Sequence, residues 1–125
     1  MPDRTMTVAE LRAAVDAFVG ERDWRPFHNG KDLAVSIVIE ASELLEEYQW
    51  QDASEVAASG ADPAARGRIQ QELADVLIYC LCLSNALDID ISDAVQEKLA
   101  IASRKYPSEA YRGKARKPGA PDPLS

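Results

Sequence analysis

Histidine is nearly absent from this chain: His28 is the single one among 125 residues. A serine or cysteine nucleophile would lack a base unless His28 served. A carboxylate-bridged di-iron bundle needs Glu-x-x-His pairs on its helices, and there are none. Cysteine is scarce as well. Cys80 and Cys82 stand one residue apart in the apolar run from Val76 to Leu83. Redox and metal pairs use a two-residue spacer or further ligands, so these two read as small core residues on a helix. Without a disulfide framework, a reducing cytoplasm is the expected compartment. Cations are outnumbered: 14 lysines and arginines face 21 acids, a formal charge of −7. Such a surface repels polyanions, which argues against nucleic-acid polymers and anionic membranes as partners. The longest apolar run falls far short of the ~20 residues that a membrane span needs. No long apolar stretch marks the N-terminus, so no signal peptide is expected. Strand-like alternation of useful length and internal repeats are also missing.

What is present is helical periodicity in a chain that is 46% apolar, enough for one domain with a core. Thr7 and Glu10 have capping-box spacing ahead of Leu11, Val15, Phe18 and Val19, which predicts a helix from Thr7 to Arg22. Pro26 and Gly30 mark a loop. A second helix is expected from Lys31 to Trp50, with Leu33, Ile37, Ala41, Leu44, Leu45 and Tyr48 as its stripe. Residues 51–62 are small and polar and read as a surface connection. Asp62-Pro63 looks like a cap and a first-turn proline, opening a third helix that runs to Leu87. Its later part is apolar nearly all round, which implies burial on several sides, a subunit interface included. After the turn at Asp88–Asp90, a fourth helix is expected from Ile91 to Lys105, ended by Pro107. The fold class is all-α, a four-helix-bundle-like domain over residues 1–110, with an extended or disordered tail over 111–125.

Four acids interrupt the apolar pattern. Glu40 and Glu43 are three apart on the second helix and border its stripe. Glu72 and Asp75 repeat that spacing on the third, flanked by Leu73 and Val76. One Glu-x-x-Glu on a solvated face means little, and Glu46 and Glu47 read that way, or as an outer helper. Two such pairs on consecutive helices are another matter. If the helices are antiparallel, the pairs face each other and repel unless a cation neutralises them. Oxygen-only ligands favour a hard ion, magnesium or manganese.

At these positions the sequence resembles the MazG-like all-α nucleoside triphosphate pyrophosphohydrolases. Their Glu-x-x-Glu and Glu-x-x-Asp signature matches Glu40-Ala41-Ser42-Glu43 and Glu72-Leu73-Ala74-Asp75. Glu21 to Trp24, Phe27-His28, Tyr48-Gln49-Trp50, Glu72 to Tyr79 and Arg104 to Pro107 are similar to the dCTP pyrophosphatase branch. The resemblance implies that Glu40, Glu43, Glu72 and Asp75 ligate magnesium and carry catalysis. It implies that Trp24, His28, Trp50 and Tyr79 form a base pocket, and that Lys98, Lys105 and Tyr106 approach the sugar and phosphates. It implies a homo-oligomer, a tetramer built from dimers, acting on dCTP or a modified relative. Two positions depart from the pattern: an asparagine of the last helix is Ala102 here, and a first-helix histidine is Val15. Both leave the base open, with dUTP or an oxidised nucleotide as alternatives. A helical module that binds without turnover is the non-enzymatic alternative. The general base stays open among the four acids and Glu47.

Overall fold

Each of the five long helices starts on a side chain that meets a free backbone N–H. Thr7 caps α1 (Val8–Glu21), its hydroxyl accepting from the Glu10 amide at 3.1 Å and donating to the Glu10 carboxylate at 3.0 Å. Asn29 caps α2 (Gly30–Glu46) through the Asp32 amide. Asp52 caps α3 (Ala53–Ala61), and Asp62 caps α4 (Pro63–Leu87), where Pro63 takes the first position. Asp90 caps α5 (Ile91–Lys105). Such caps contribute about 1 kcal/mol each. A four-residue helix, α6 (Ser108–Tyr111), follows Pro107. This is a computed structural model, and it describes residues 1–114, which fall into two compact units divided between Ile89 and Asp90.

In the first unit α4 is the common partner of α1, α2 and α3. Arg12 on α1 and Asn85 on α4 exchange hydrogen bonds at 3.2 and 3.0 Å, while Val19, seven residues later, packs on Cys82 and Tyr79. Numbers rise along α1 as they fall along α4, so the two run antiparallel. On α2 the same order holds: Glu40 meets the field of Asp75, Glu43 that of Glu72, and Glu47 pairs with Arg68. The core centres on Val19, Leu33 and Cys82, with Val15, Tyr79 and Leu83 packed around it. Leu33 is 2% exposed, and its truncation to alanine would cost roughly 2–5 kcal/mol. The rest of the apolar surface is open. Val35, Val38 and Ile39 on α2, and Leu73, Leu77 and Ile78 on α4, all face solvent.

The four helices read from the sequence are all present, and α4 and α5 have the expected bounds. Among the described residues there is no strand, so the chain is all-α. Three expectations are corrected. Residues 51–62 are not an irregular connection, since most of them form α3. Helix α2 ends at Glu46 instead of Trp50. Asp52 must be extended (φ −82°, ψ 175°) to cap α3, so the chain leaves α2 through tight turns at Glu47 and Tyr48. Of the tail expected to be extended or disordered over 111–125, only 111–114 is described: Tyr111 ends α6 and a turn at Arg112 and Gly113 follows, while 115–125 lie outside the described residues. No helix among the described residues is long and apolar enough to cross a membrane.

Candidate metal centre

Antiparallel pairing of α2 and α4 sets the acids against one another. Glu40, Glu43 and Glu72 each bring a carboxylate oxygen within 4.8 Å of the other two. All three are half-buried, bordered by the apolar residues of the two helices. Asp75 stands outside that tight group but inside its field, since it acts on both Glu40 and Glu72. Desolvation is the first cause that pushes the Glu40 carboxyl above its ordinary value, and Glu43 is the next. Glu72 is raised by desolvation too, followed by the charges of Glu43 and Asp75. Its Oε2 is buried without a hydrogen-bond partner.

An uncompensated buried carboxylate oxygen costs free energy, and repulsion adds to that cost. A bound cation would answer both. The donors are all carboxylate oxygens, which suits Mg²⁺ or Mn²⁺. Glu40, Glu43 and Glu72 could hold such an ion, with Asp75 completing the set. Glu47 lies at the edge of the group, where it adds to the field on Glu72. Arg68 Nε donates to Glu47 Oε2 at 3.2 Å. Arg68 was not singled out from the sequence. The available signal was its position one turn ahead of Glu72, on the same face of α4.

The aromatic and basic residues are distributed differently. Tyr79 lies one turn beyond Asp75 and packs into the core on Val19, Leu33 and Cys82. Trp24 stacks edge-on against Phe18, with ring centres 5.8 Å apart. His28 lines a cavity of about 300 Å³ together with Asp16, Val19, Arg25, Cys82, Asn85 and Ala86. From Glu72 to Cys82 is about 15 Å along α4, so this cavity and the acids are separate places in the unit. Cys82 is buried and Cys80 half-buried, both free thiols, as expected of core residues. Burial pushes the Cys82 thiol up. Trp50 follows α2 with its ring 87% exposed, brought to none of the others. In the second unit, the Lys105 ammonium lies 5.3 Å from the Tyr106 ring centre, and Tyr106 meets Tyr111 edge-on. Lys98 is exposed on α5.

Known proteins are similar to this chain. The model of the MazG-like family matches residues 35–118. The human dCTP pyrophosphatase 1 is 37% identical over 111 residues, which is 89% of this chain and 65% of that protein. The mouse dCTP pyrophosphatase 1 is 35% identical over 87% of this chain and 64% of its own length. The chain thus spans just under two thirds of these relatives. The crystal structure of a pyrophosphatase from Archaeoglobus fulgidus superposes with a TM-score of 0.74 at 39% identity. It covers 79% of this chain and 91% of its own.

Proposed function

The chain belongs to the MazG-like family, and from that premise we propose that it hydrolyses a nucleoside triphosphate to the monophosphate and pyrophosphate, with dCTP or a modified dCTP preferred. The observation that carries the reading is the meeting of Glu40, Glu43 and Glu72 within 4.8 Å, with one Glu72 oxygen buried and unpartnered. The relatives named for dCTP pyrophosphatase support the substrate.

Glu40, Glu43, Glu72 and Asp75 would hold Mg²⁺, or Mn²⁺ in its place. When bound, the ion supplies charge neutralisation for the triphosphate and polarises a phosphoryl oxygen. The residues do the rest. The four acids would hold that ion where the reacting phosphate meets it, with Glu40 and Glu72 releasing to water any proton they retain. Glu47, oriented by Arg68, stands at the edge of the group and is suited to accept a proton from the attacking water. The same role is open to one of the four acids. Arg68 keeps further N–H donors beside its Glu47 bond, which suits a phosphate oxygen. Trp24, His28 and Tyr79 serve the base, and Lys98, Lys105 and Tyr106 the sugar and phosphates. Trp50, so exposed in one chain, would meet a base in the site of a neighbouring copy.

That neighbour belongs to the proposal. Few residues of the described chain are fully buried, while Val35, Val38, Ile39, Leu73, Leu77 and Ile78 are open at helical spacing. A second copy would cover these stripes, as a dimer or as a tetramer of two dimers. Scattered apolar residues are ordinary on a surface, whereas stripes on two adjacent helices mark an interface.

Product analysis tests the activity. The purified chain is incubated with each canonical nucleoside triphosphate and with 5-methyl-dCTP, dUTP and 8-oxo-dGTP, in magnesium and in EDTA, and products are resolved by ion exchange. Monophosphate and pyrophosphate, formed only with magnesium and fastest from a cytosine deoxynucleotide, are expected. A preference for dUTP or an oxidised nucleotide would replace the base assignment. Release of inorganic phosphate alone, or no turnover of any of them, would refute the reaction.

A further inference from the structure

We infer that Arg25 is a positioning residue, seated on α1 by Asp16 and by the bare Cα of Gly20, and that it fixes the Arg25–His28 wall of the cavity against which the nucleotide binds. The part concerning nucleotide rests on the function proposed above; the seat itself does not.

The wall begins where α1 unwinds. The amides of Arg22 and Trp24 both donate to the Val19 carbonyl, at 3.3 and 3.1 Å, and the Asp23 amide donates to Gly20 at 3.1 Å. Asp23 is left-handed at φ 52°, which turns the chain back along α1. A single 3-10 turn follows, Arg25–Phe27, with Pro26 fixing its φ. It is closed by Phe27 N–H to Trp24 at 2.9 Å and His28 N–H to Arg25 at 3.0 Å. These bonds shape the loop but tie it to α1 at one end only.

Arg25 supplies the second tie. Its Nε donates to Asp16 Oδ1 at 3.2 Å, and one terminal nitrogen donates to Asp16 Oδ2 at 3.1 Å and to the Asp16 carbonyl at 3.3 Å. A planar guanidinium on two carboxylate oxygens has one favoured orientation. To reach Asp16 it must lie across the next turn of α1, where residue 20 stands. A Cβ there would be 2.5 to 2.8 Å from the guanidinium carbon and its two terminal nitrogens. Glycine is the one residue that leaves this space. The side chains of Asp16, Arg25 and His28 then line the same cavity. As an exposed ion pair the contact adds little to stability. Its effect is orientation.

The test separates orientation from stability. Gly20→Ala puts a better helix former into α1 and meets only the far end of a flexible side chain. Its melting temperature should therefore be no lower than wild type, while Arg25 is pushed off Asp16. In the magnesium-loaded full chain, KM for the best nucleotide should rise roughly tenfold, with a smaller change in kcat. Arg25→Ala should do the same, Arg25→Lys should restore only part, and Gly20→Ala should add nothing in the Arg25→Ala background. Because His28 is the single histidine, its ring signals in proton NMR report the wall directly and should move in both variants. Fold-increases in KM that multiply in the double variant would overturn the inference, as would an unchanged KM in Gly20→Ala. If the wild-type chain turns over no nucleotide, the proposed function fails on its own account. The seat is then judged by NMR alone, and His28 signals unmoved by both substitutions would refute it.

Discussion

Glu43 is the residue through which the acidic group can be tested most sharply. It stands beside both Glu40 and Glu72 and is the nearest named charge that raises each of them, ahead of Asp75. Glu43→Gln keeps the shape and removes the charge. Carboxylate oxygens of Glu40 and Glu43 lie within 4.8 Å, and unit charges at that distance repel by about 0.9 kcal/mol in water. Relief of that repulsion should raise the melting temperature of the metal-free chain by roughly 3 °C. Relief of the Glu43–Glu72 repulsion acts in the same direction. The effect should shrink in high salt, which screens half-exposed charges. Function should move the opposite way, with magnesium-dependent turnover falling by about 10²-fold or more, as when a preorganised charge is lost from a site. The assay is a thermal melt in EDTA and in magnesium at low ionic strength, beside turnover. A variant that melts lower than wild type in EDTA would show that Glu43 is structural. One that keeps the full magnesium-induced stabilisation would remove it from the metal site.

Three further outcomes follow from the same geometry. Glu40 and Glu72 hold protons more tightly in the native state than at their ordinary value of 4.5. The native chain therefore binds more protons than the unfolded one, and metal-free stability should fall as pH rises through that value into the raised native range; magnesium should flatten or reverse the slope, and a melting temperature in EDTA that climbs over the same interval would contradict the arrangement. Trp50→Ala removes a ring that is 87% exposed, so the melting temperature should hold while KM rises; an unchanged KM would take Trp50 out of the base site. If a second copy covers the open stripes on α2 and α4, the melting temperature should rise with protein concentration, and a value independent of concentration over a hundredfold range would argue for a lone chain.

The helices that could be read to the residue were those whose caps are spelled out. Asp62-Pro63 opens α4, and Asp90 stands immediately before α5. Helix α3 escaped because its residues, Ala-Ser-Glu-Val-Ala-Ala-Ser-Gly-Ala, carry almost no large apolar side chain and so no period. Alanine needs none, being the best helix former, and the signal lay in the Asp52-x-x-Glu55 spacing of a cap. The overlong reading of α2 has the same root. Tyr48 and Trp50 extend the apolar rhythm, but Asp52 belongs to the next helix and pulls the backbone out of the first.

The acids and the cavity wall were unequally legible for a physical reason. A carboxylate beside an apolar stripe breaks a pattern that burial otherwise enforces, so Glu40, Glu43, Glu72 and Asp75 stand out in a single sequence. Their meeting needed one more premise, that α2 and α4 run antiparallel, which the spacing of the acids alone does not supply. Gly20 breaks nothing visible. A glycine near the end of a helix reads as an ordinary termination signal, and its neighbours Asp16 and Arg25 read as solvated charges. Its purpose is defined by the missing atom: a guanidinium from beyond the helix end lies where Cβ would be. A site made by placing charges against the hydrophobic pattern can be found by period and spacing. A site made by leaving room can be found only once the backbone has brought its occupant alongside.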